Sequence, residues 1–387
     1  MLQAAFIISI ILFTCYTVLI IFYAISWRSI PAFEEQKNDM ETGSPFLSII
    51  VPARNETLHI KACLDAIHQQ TYPKHLYEVI VVDDHSDDDT ATIVKKYPAN
   101  NVQLISLTNF VAPNAINSYK KKAIEIALQQ AKGELIITTD ADCTMPTEWL
   151  QTIVAFYRKT NAVLIVMPVA FVSNSQPFGK RLLSIFQSLD FMVLQGITGA
   201  SVYKKAHSMC NGANLAYTRA AFNMVDGFKG IDAIASGDDM LLMHKIVSLY
   251  PDGVQFLQSL KVIVQTQPAN SLKAFFNQRI RWASKADKYD DKRITAVLAL
   301  VYFFNVWILV LMFAAFFNGS LALLFLIILL AKTLLELCLL YPVAVFFSRL
   351  KLLLWFPLAQ PFHVCYTVIA GWLGKFGTYQ WKGRKVK

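Results

Sequence analysis

Charge is missing from the start of the chain: residues 4–26, AAFIISIILFTCYTVLIIFYAIS, hold no acid and no base. A run of that length can cross a hydrocarbon core of about 30 Å as a helix. No basic stretch precedes it and it is too long for the apolar part of a cleaved leader, so a signal peptide is not the reading. Cysteine is sparse as well. The six cysteines form no CxxC pair and no framework spacing, which excludes a disulfide scaffold and points to reduced thiols. Internal repeats and low-complexity linkers are absent. Acids are scarce outside residues 28–293, while 55% of all 387 residues are hydrophobic, above the usual share for a soluble globule.

The excess of apolar residues lies at the two ends. Residues 294–317 and 321–347 are long apolar runs separated only by Asn318, Gly319 and Ser320, the pattern of a helical hairpin. Residues 352–374 contain Pro357, Pro361 and His363 and read as a fourth transmembrane or re-entrant segment. The net charge of +9 does not point to nucleic acid, because the bases sit beside the apolar runs: Arg28, then Lys285, Lys288, Lys292 and Arg293, then Arg349 and Lys351. The excess of bases at these ends puts residues 28–293 in the cytosol of an integral inner- or plasma-membrane protein. The tail from Lys382 to Lys387 is basic too; if it is also cytosolic, residues 352–374 do not simply cross once.

Inside the polar block, strand and helix signals alternate. Leu47–Val51, Val79–Val82 and Leu135–Thr139 are short apolar runs rich in β-branched residues. Each is followed by a polar turn and a helical stretch, Thr57–Gln70, Thr90–Tyr97 and Thr147–Lys159. This predicts an α/β domain whose parallel strands are covered on both faces. Ligands of such sheets bind beyond the carboxyl ends of the strands. There the sequence places Arg54, Asn55 and Glu56, then Asp83 and Asp84, then Asp140 and Asp142.

Asp140-Ala141-Asp142 sets two carboxylates two residues apart at a strand end, where they can hold Mg²⁺ or Mn²⁺ together with a diphosphate. The same triplet is common in solvated turns. Asp84 can accept hydrogen bonds from a base or ribose, while Asp88 or Asp89 caps the next helix. Lys120, Lys121 and Lys122 open a helix predicted over Lys122–Gln130; Lys121 or Lys122, ahead of Lys120, is expected to reach a diphosphate, although a lysine run is often a solvated face. Asp238 and Asp239 precede a helical run, where they either complement its dipole or supply a general base. Gln278, Arg281 and Trp282 lie in a basic amphipathic segment just before the hairpin. It reads as an interfacial helix, with Arg281 placed for a diphosphate and Trp282 for an acceptor.

In this order the residues resemble the family 2 glycosyltransferases of inverting, GT-A type. The matching stretches are Val51 to Glu56, Asp83-Asp84, the lysine turn, Asp140 to Cys143, Gly212-Ala213-Asn214 with Ala216-Tyr217, Gly237-Asp238-Asp239, and Gln278 to Trp282. The resemblance covers roughly residues 45–290 and implies a GT-A (Rossmann-like) domain flanked by transmembrane helices. It implies that Pro52, Glu56 and Asp84 line the nucleotide site, that Arg54 is among the substrate-binding residues, and that Lys121 and Lys122 serve the donor. Asp140 would contact the nucleotide sugar and share the metal with Asp142, and Asp239 would be the base, with Asp238 a second candidate. Gln278, Arg281 and Trp282 match a Q-x-x-R-W signature found in cellulose and hyaluronan synthases, and ceramide glucosyltransferases are similar. The implied donor is a nucleotide-diphospho-sugar of UDP type, and the acceptor a lipid or lipid-linked glycan. Residues 185–197 read as a second interfacial helix. A processive polysaccharide synthase, a non-catalytic scaffold subunit, and a homodimer or partner subunit remain open at this point.

Overall fold

The computed structural model describes residues 2–34, 43–113, 115–172, 178–285, 291–381 and 384–386. Lys288, Lys382, Gly383 and Lys387 of the basic clusters fall outside them. The chain starts with helix α1 (Leu2–Arg28). It continues through β1 (Leu47–Ala53), α2 (Ile60–His68), β2 (Tyr77–Asp83), α3 (Thr90–Lys95), β3 (Val102–Ser106), α4 (Tyr119–Gln130), β4 (Leu135–Thr138) and α5 (Trp149–Thr160). Strands β5 (Leu164–Val166) and β6 (Val169–Phe171) lead to the long α6 (Phe178–Lys204), then β7 (Leu215–Thr218), α7 (Arg219–Met224) and α8 (Asp238–Leu249). Next are β8 (Val254–Phe256), β9 (Val264–Thr266), α9 (Leu272–Ala283), α10 (Lys292–Ala314), α11 (Gly319–Phe346) and α12 (Phe356–Phe376), with a short terminal hairpin of β10 (Tyr379–Trp381) and β11 (Arg384–Val386).

Seven strands form one mixed sheet in the order β3-β2-β1-β4-β7-β5-β8. Strands β3, β2, β1 and β4 are parallel, and β7 runs antiparallel between β4 and β5. The apolar runs explain how the sheet is covered. Alternate residues of a strand face opposite sides, and both faces here are apolar. Ile50, Ile80 and Ile136 point into one core, while Ile49, Val51, Val79, Val81, Leu135 and Ile137 point into the other. A second pair, β6 with β9, and a bridge from Thr144 to Gln265 tie the residues after β4 to the approach to α9.

The first core continues into a helical bundle. Tyr16, Ile20, Tyr23, Ala24 and Trp27 of α1 are buried at three- and four-residue spacing, while Ile7, Ile11, Val18 and Ile25 are exposed. Among the described residues, five helices are long and apolar enough to cross a membrane: Leu2–Arg28, Gly179–Tyr203, Lys292–Ala314, Gly319–Phe346 and Leu350–Phe376. Four flank the α/β domain and α6 is inserted within it. The sequence suggests an interfacial helix at 185–197; the helix observed is 27 residues long. Its polar residues Gln187, Asp190 and Gln195 are buried against neighbours rather than turned to water. Helix α12 lies alongside α9: Phe275 packs on Phe362 and Tyr366, and Gly374 sits against Ala283 and Ser284.

Candidate active site

The carboxyl ends of β1, β2 and β4 open into a cavity of about 490 Å³. The register brings the strand ends together at it, since Val51, Pro52 and Ala53 pair with Val81, Val82 and Asp83, and β4 pairs with β1 on the other side. Pro52, Arg54, Glu56, Asp84, Asp140 and Asp142 all line the cavity. Its other wall comes from the start of α8, with Asp238 and Asp239, and from α9, with Gln278, Arg281 and Trp282.

On the first wall, Arg54 Nη1 donates to the carbonyl of Asp84 at 2.9 Å. Asp84 Oδ1 meets His85 Nδ1 at 2.9 Å. Asp88 is separate from the cavity: it accepts the backbone N–H of Thr90 at 3.0 Å and that of Thr57 at 3.1 Å. Desolvation works against its ionisation, but these bonds prevail and hold its carboxyl down to about 2. Asp88 therefore fixes the α3 entry while Asp84 stays at the cavity, a division of labour between neighbouring acids.

The lysines depart from the sequence expectation. Helix α4 begins at Tyr119, not at Lys122, so all three lysines lie in its first turn, about 100° apart around the axis. Lys120 is the one that enters the cavity, with Nζ 2.8 Å from Asp140 Oδ1 and 3.2 Å from Asp238 Oδ2. Lys121 is buried elsewhere and donates to the carbonyls of Ile231, Ile234 and Ser236 at 2.8, 2.6 and 3.3 Å. Lys122 pairs with Glu125 at 3.2 Å. Neither Lys121 nor Lys122 lines the cavity, because a one-residue step on a helix turns a side chain to another wall.

Asp239 accepts two backbone N–H groups, from Gly212 to Oδ2 and from Met240 to Oδ1, each at 2.8 Å. Gly237 caps α8 with φ +78°, a conformation that favours glycine. Gly212 sits close to the acids: a Cβ there would stand 3.3 Å from Asp238 Oδ2, Asp239 Cβ and Lys120 Nζ. Burial would raise the pKa of Asp238, yet Lys120 and Lys285 outweigh it and hold the group below the usual carboxylate range. Burial would lower the pKa of Lys120, but Asp140, Asp238 and Asp239 push it above the ordinary lysine value. Lys285 is pushed down to about 8, chiefly by burial and against the pull of Asp239.

On the α9 wall, Arg281 and Trp282 face the cavity, and Phe191 lies 6.2 Å from the Trp282 ring. Arg279 is not at the cavity. Its guanidinium bonds Asp190 at 2.6 Å and stacks 4.2 Å from the Trp282 ring, which locks α9 onto α6. Tyr366 of α12 bonds the other Asp190 oxygen. Lys285, read in the sequence only as part of a basic cluster, and the aromatic residues Phe171 and Phe191 were missed as cavity residues. Phe171 and Phe191 come from a distant segment, and Lys285, three residues past Trp282, carries no motif to mark it.

Among the described residues, no group of three His, Cys, Asp or Glu side chains could cage a metal. The donor set nevertheless suits a hard cation shared with substrate. Asp140 and Asp142 supply carboxylate oxygens at one strand end, and Mg²⁺ or Mn²⁺ is commonly held by one or two carboxylates plus phosphates and water. Thr266 Oγ1 donates to Asp142 Oδ2 at 3.1 Å and helps orient it.

Residues 48–224 match the family model described as Glycosyl transferase family 2, and the domain they belong to has the GT-A fold. Glycosyltransferase AglE of Haloferax volcanii is 31% identical over 134 residues, 34% of this chain and 42% of that protein. Beta-monoglucosyldiacylglycerol synthase of Trichormus variabilis is 25% identical over 189 residues, 46% of this chain and 40% of that protein. The chain spans less than half the length of these two relatives. Among solved structures, the mannosyltransferase PcManGT from Pyrobaculum calidifontis, in complex with GDP-Man and Mn²⁺, superposes with a TM-score of 0.58 at 21% identity. The match covers 94% of this chain and 99% of that one, and shows a shared fold.

Proposed function

We propose that the chain transfers a sugar, with inversion, from a nucleotide-diphospho-sugar to a lipid or lipid-linked glycan at the cytosolic membrane face. The observation that carries the acceptor reading is the position of α9. Its Gln278, Arg281 and Trp282 line the cavity, and the same helix packs on α12 and leads into α10, two of the helices long enough to cross a membrane. An acceptor approaching from the bilayer meets the site on that wall. A diacylglycerol-glucosylating relative is in keeping with this.

Pro52, Glu56 and Asp84 take the nucleotide end of the donor, Asp140 contacts its sugar-phosphate portion, and Arg281 and Lys120 offset phosphate charge. Asp239 removes the proton from the acceptor hydroxyl. The acceptor oxygen then bonds to the anomeric carbon on the face opposite the diphosphate, the carbon–oxygen bond to the diphosphate breaks, and the nucleoside diphosphate leaves. Asp140 and Asp142 would hold a divalent cation, which supplies Lewis-acid stabilisation of the departing diphosphate.

Purified chain, a panel of UDP- and GDP-sugars, Mn²⁺ and total membrane lipid test this reading. An organic-soluble product with one added sugar supports it. A long water-soluble polymer would establish a processive synthase instead, and no donor turnover at all would favour the scaffold subunit. Membrane sidedness is read by labelling Lys132→Cys and Ser320→Cys in intact cells; reaction of both from the same side contradicts a cytosolic domain with an external hairpin turn.

A further inference from the structure

A second cavity, of about 560 Å³, lies between the start of α6, the start of α9 and the start of α12. Its walls include Leu182, Leu183, Phe186, Leu358, Ala359 and Phe362, and they are almost wholly apolar. At its edge Leu272 is 56% exposed and Leu358 is 74% exposed, more open apolar surface than a water-facing groove usually shows. Two of the three contributing helices, α6 and α12, are long and apolar enough to enter a bilayer. One cation, Lys180, lines this groove, and no ion pair involving it occurs among the described residues.

The groove and the catalytic cavity are neighbours across a single turn. Ala269 and Ala274 line the catalytic side, while Asn270, Ser271 and Leu272 line the groove. The turn is held rigid by buried Gln187 of α6, whose Nε2 donates to the Ala269 carbonyl at 3.0 Å and whose Oε1 accepts the Ala269 N–H at 2.9 Å. Both bonds of this side-chain amide go to the turn that separates the two spaces. Its volume falls within the range of ligand clefts.

We infer that this groove holds the hydrocarbon chain of a phosphate-bearing lipid acceptor, with Lys180 drawing the anionic end and the reacting end crossing the Ala269–Ser271 turn to Asp239. Charge complementarity and adjacency to the catalytic cavity across one turn favour this occupant over a second copy of the chain. The inference rests on the proposed transfer reaction, so its test reads occupancy separately from turnover.

The probe is hexadecyl phosphate with a diazirine at the far end of its chain, photolysed with full-length protein in phosphatidylcholine nanodiscs. Cross-links are expected in the peptides that carry Leu183 and Phe362. Ala359→Trp fills the groove and should reduce them at least tenfold, as should competition by unlabelled hexadecyl phosphate. Leu354→Trp, which places the same residue at an exposed position outside the groove, should leave them unchanged. Lys180→Glu should reduce capture of the phosphate probe but not of a neutral hexadecanol probe. If transfer occurs, Ala359→Trp should also lower transfer to membrane lipid tenfold or more while hydrolysis of the donor by water stays the same. Cross-links spread evenly over α1, α10 and α11 would mean ordinary bilayer lipid and overturn the inference, as would cross-linking that Ala359→Trp does not change, or chain-to-chain cross-links at the groove. Groove cross-links without any sugar transfer by the unaltered protein would leave the lipid site standing and defeat the transfer reaction instead.

Discussion

Replacing Asp239 with Asn separates chemistry from architecture, and the structure sets the size of both effects. The Asp239 carboxylate accepts N–H groups from Gly212 and Met240 through different oxygens. An amide keeps one oxygen, so one of these N–H groups faces an NH₂ instead. Leaving a backbone donor without its acceptor costs about 1–3 kcal/mol, which should appear as a lower Tm in a protein that still folds. Loss of a general base costs about 10²–10⁴-fold in rate, equivalent to about 2.7–5.4 kcal/mol on the barrier at 1.36 kcal/mol per tenfold. Asp238→Asn is the matched comparison. Its main partner, Lys120, keeps Asp140, so the loss is that of one charge-assisted hydrogen bond, about 1.5–3 kcal/mol, and a smaller rate effect follows. The assay is nucleoside diphosphate release with a saturating donor and lipid extract, run beside thermal melts of both variants. If Asp238→Asn abolishes turnover while Asp239→Asn stays within about tenfold of the parent, the base is Asp238 and the assignment fails.

Asp142→Asn should abolish the Mn²⁺ dependence of donor turnover and cut the rate by orders of magnitude; near-normal, metal-independent turnover would remove Asp142 from the metal site. Lys121→Met should destabilise the chain by roughly 2–4 kcal/mol, because three carbonyls before Asp238 lose a buried charged donor, whereas Lys122→Met should leave Tm nearly unchanged. Lys285 is pushed down to about 8, so the unfolded chain binds its proton over a window in which the folded chain does not. Stability should therefore rise with pH from about 8 towards the ordinary lysine pKa, and Lys285→Met should flatten that slope in chemical denaturation. The same ionisation removes a cation from the cavity, so donor KM should climb as pH passes about 8, and Lys285→Arg should delay the climb.

The apolar periodicity of β1, β2 and β4 was enough to determine a two-faced sheet, because buried parallel strands need apolar residues on both sides. It was also enough to put Asp84, Asp140 and Asp142 at one edge, since residues that end neighbouring parallel strands share that edge whatever the loops do. The amphipathic pattern of α9 likewise marked Arg281 and Trp282. Other features depended on rotation and distance that no local pattern carries. Lys120, Lys121 and Lys122 are chemically identical, and the position of the α4 start decides which one faces Asp140 and Asp238. Arg279 and Arg281 lie two residues apart on one helix, so one is committed to buried Asp190 and the other to the cavity. Lys285, Phe171 and Phe191 become neighbours of the acids only when β6, α6 and the chain after α9 close over the sheet. The apolar groove beside α9 is likewise a tertiary product: its three walls start at Phe178, Leu272 and Phe356, and packing alone brings such separated helix ends around one space.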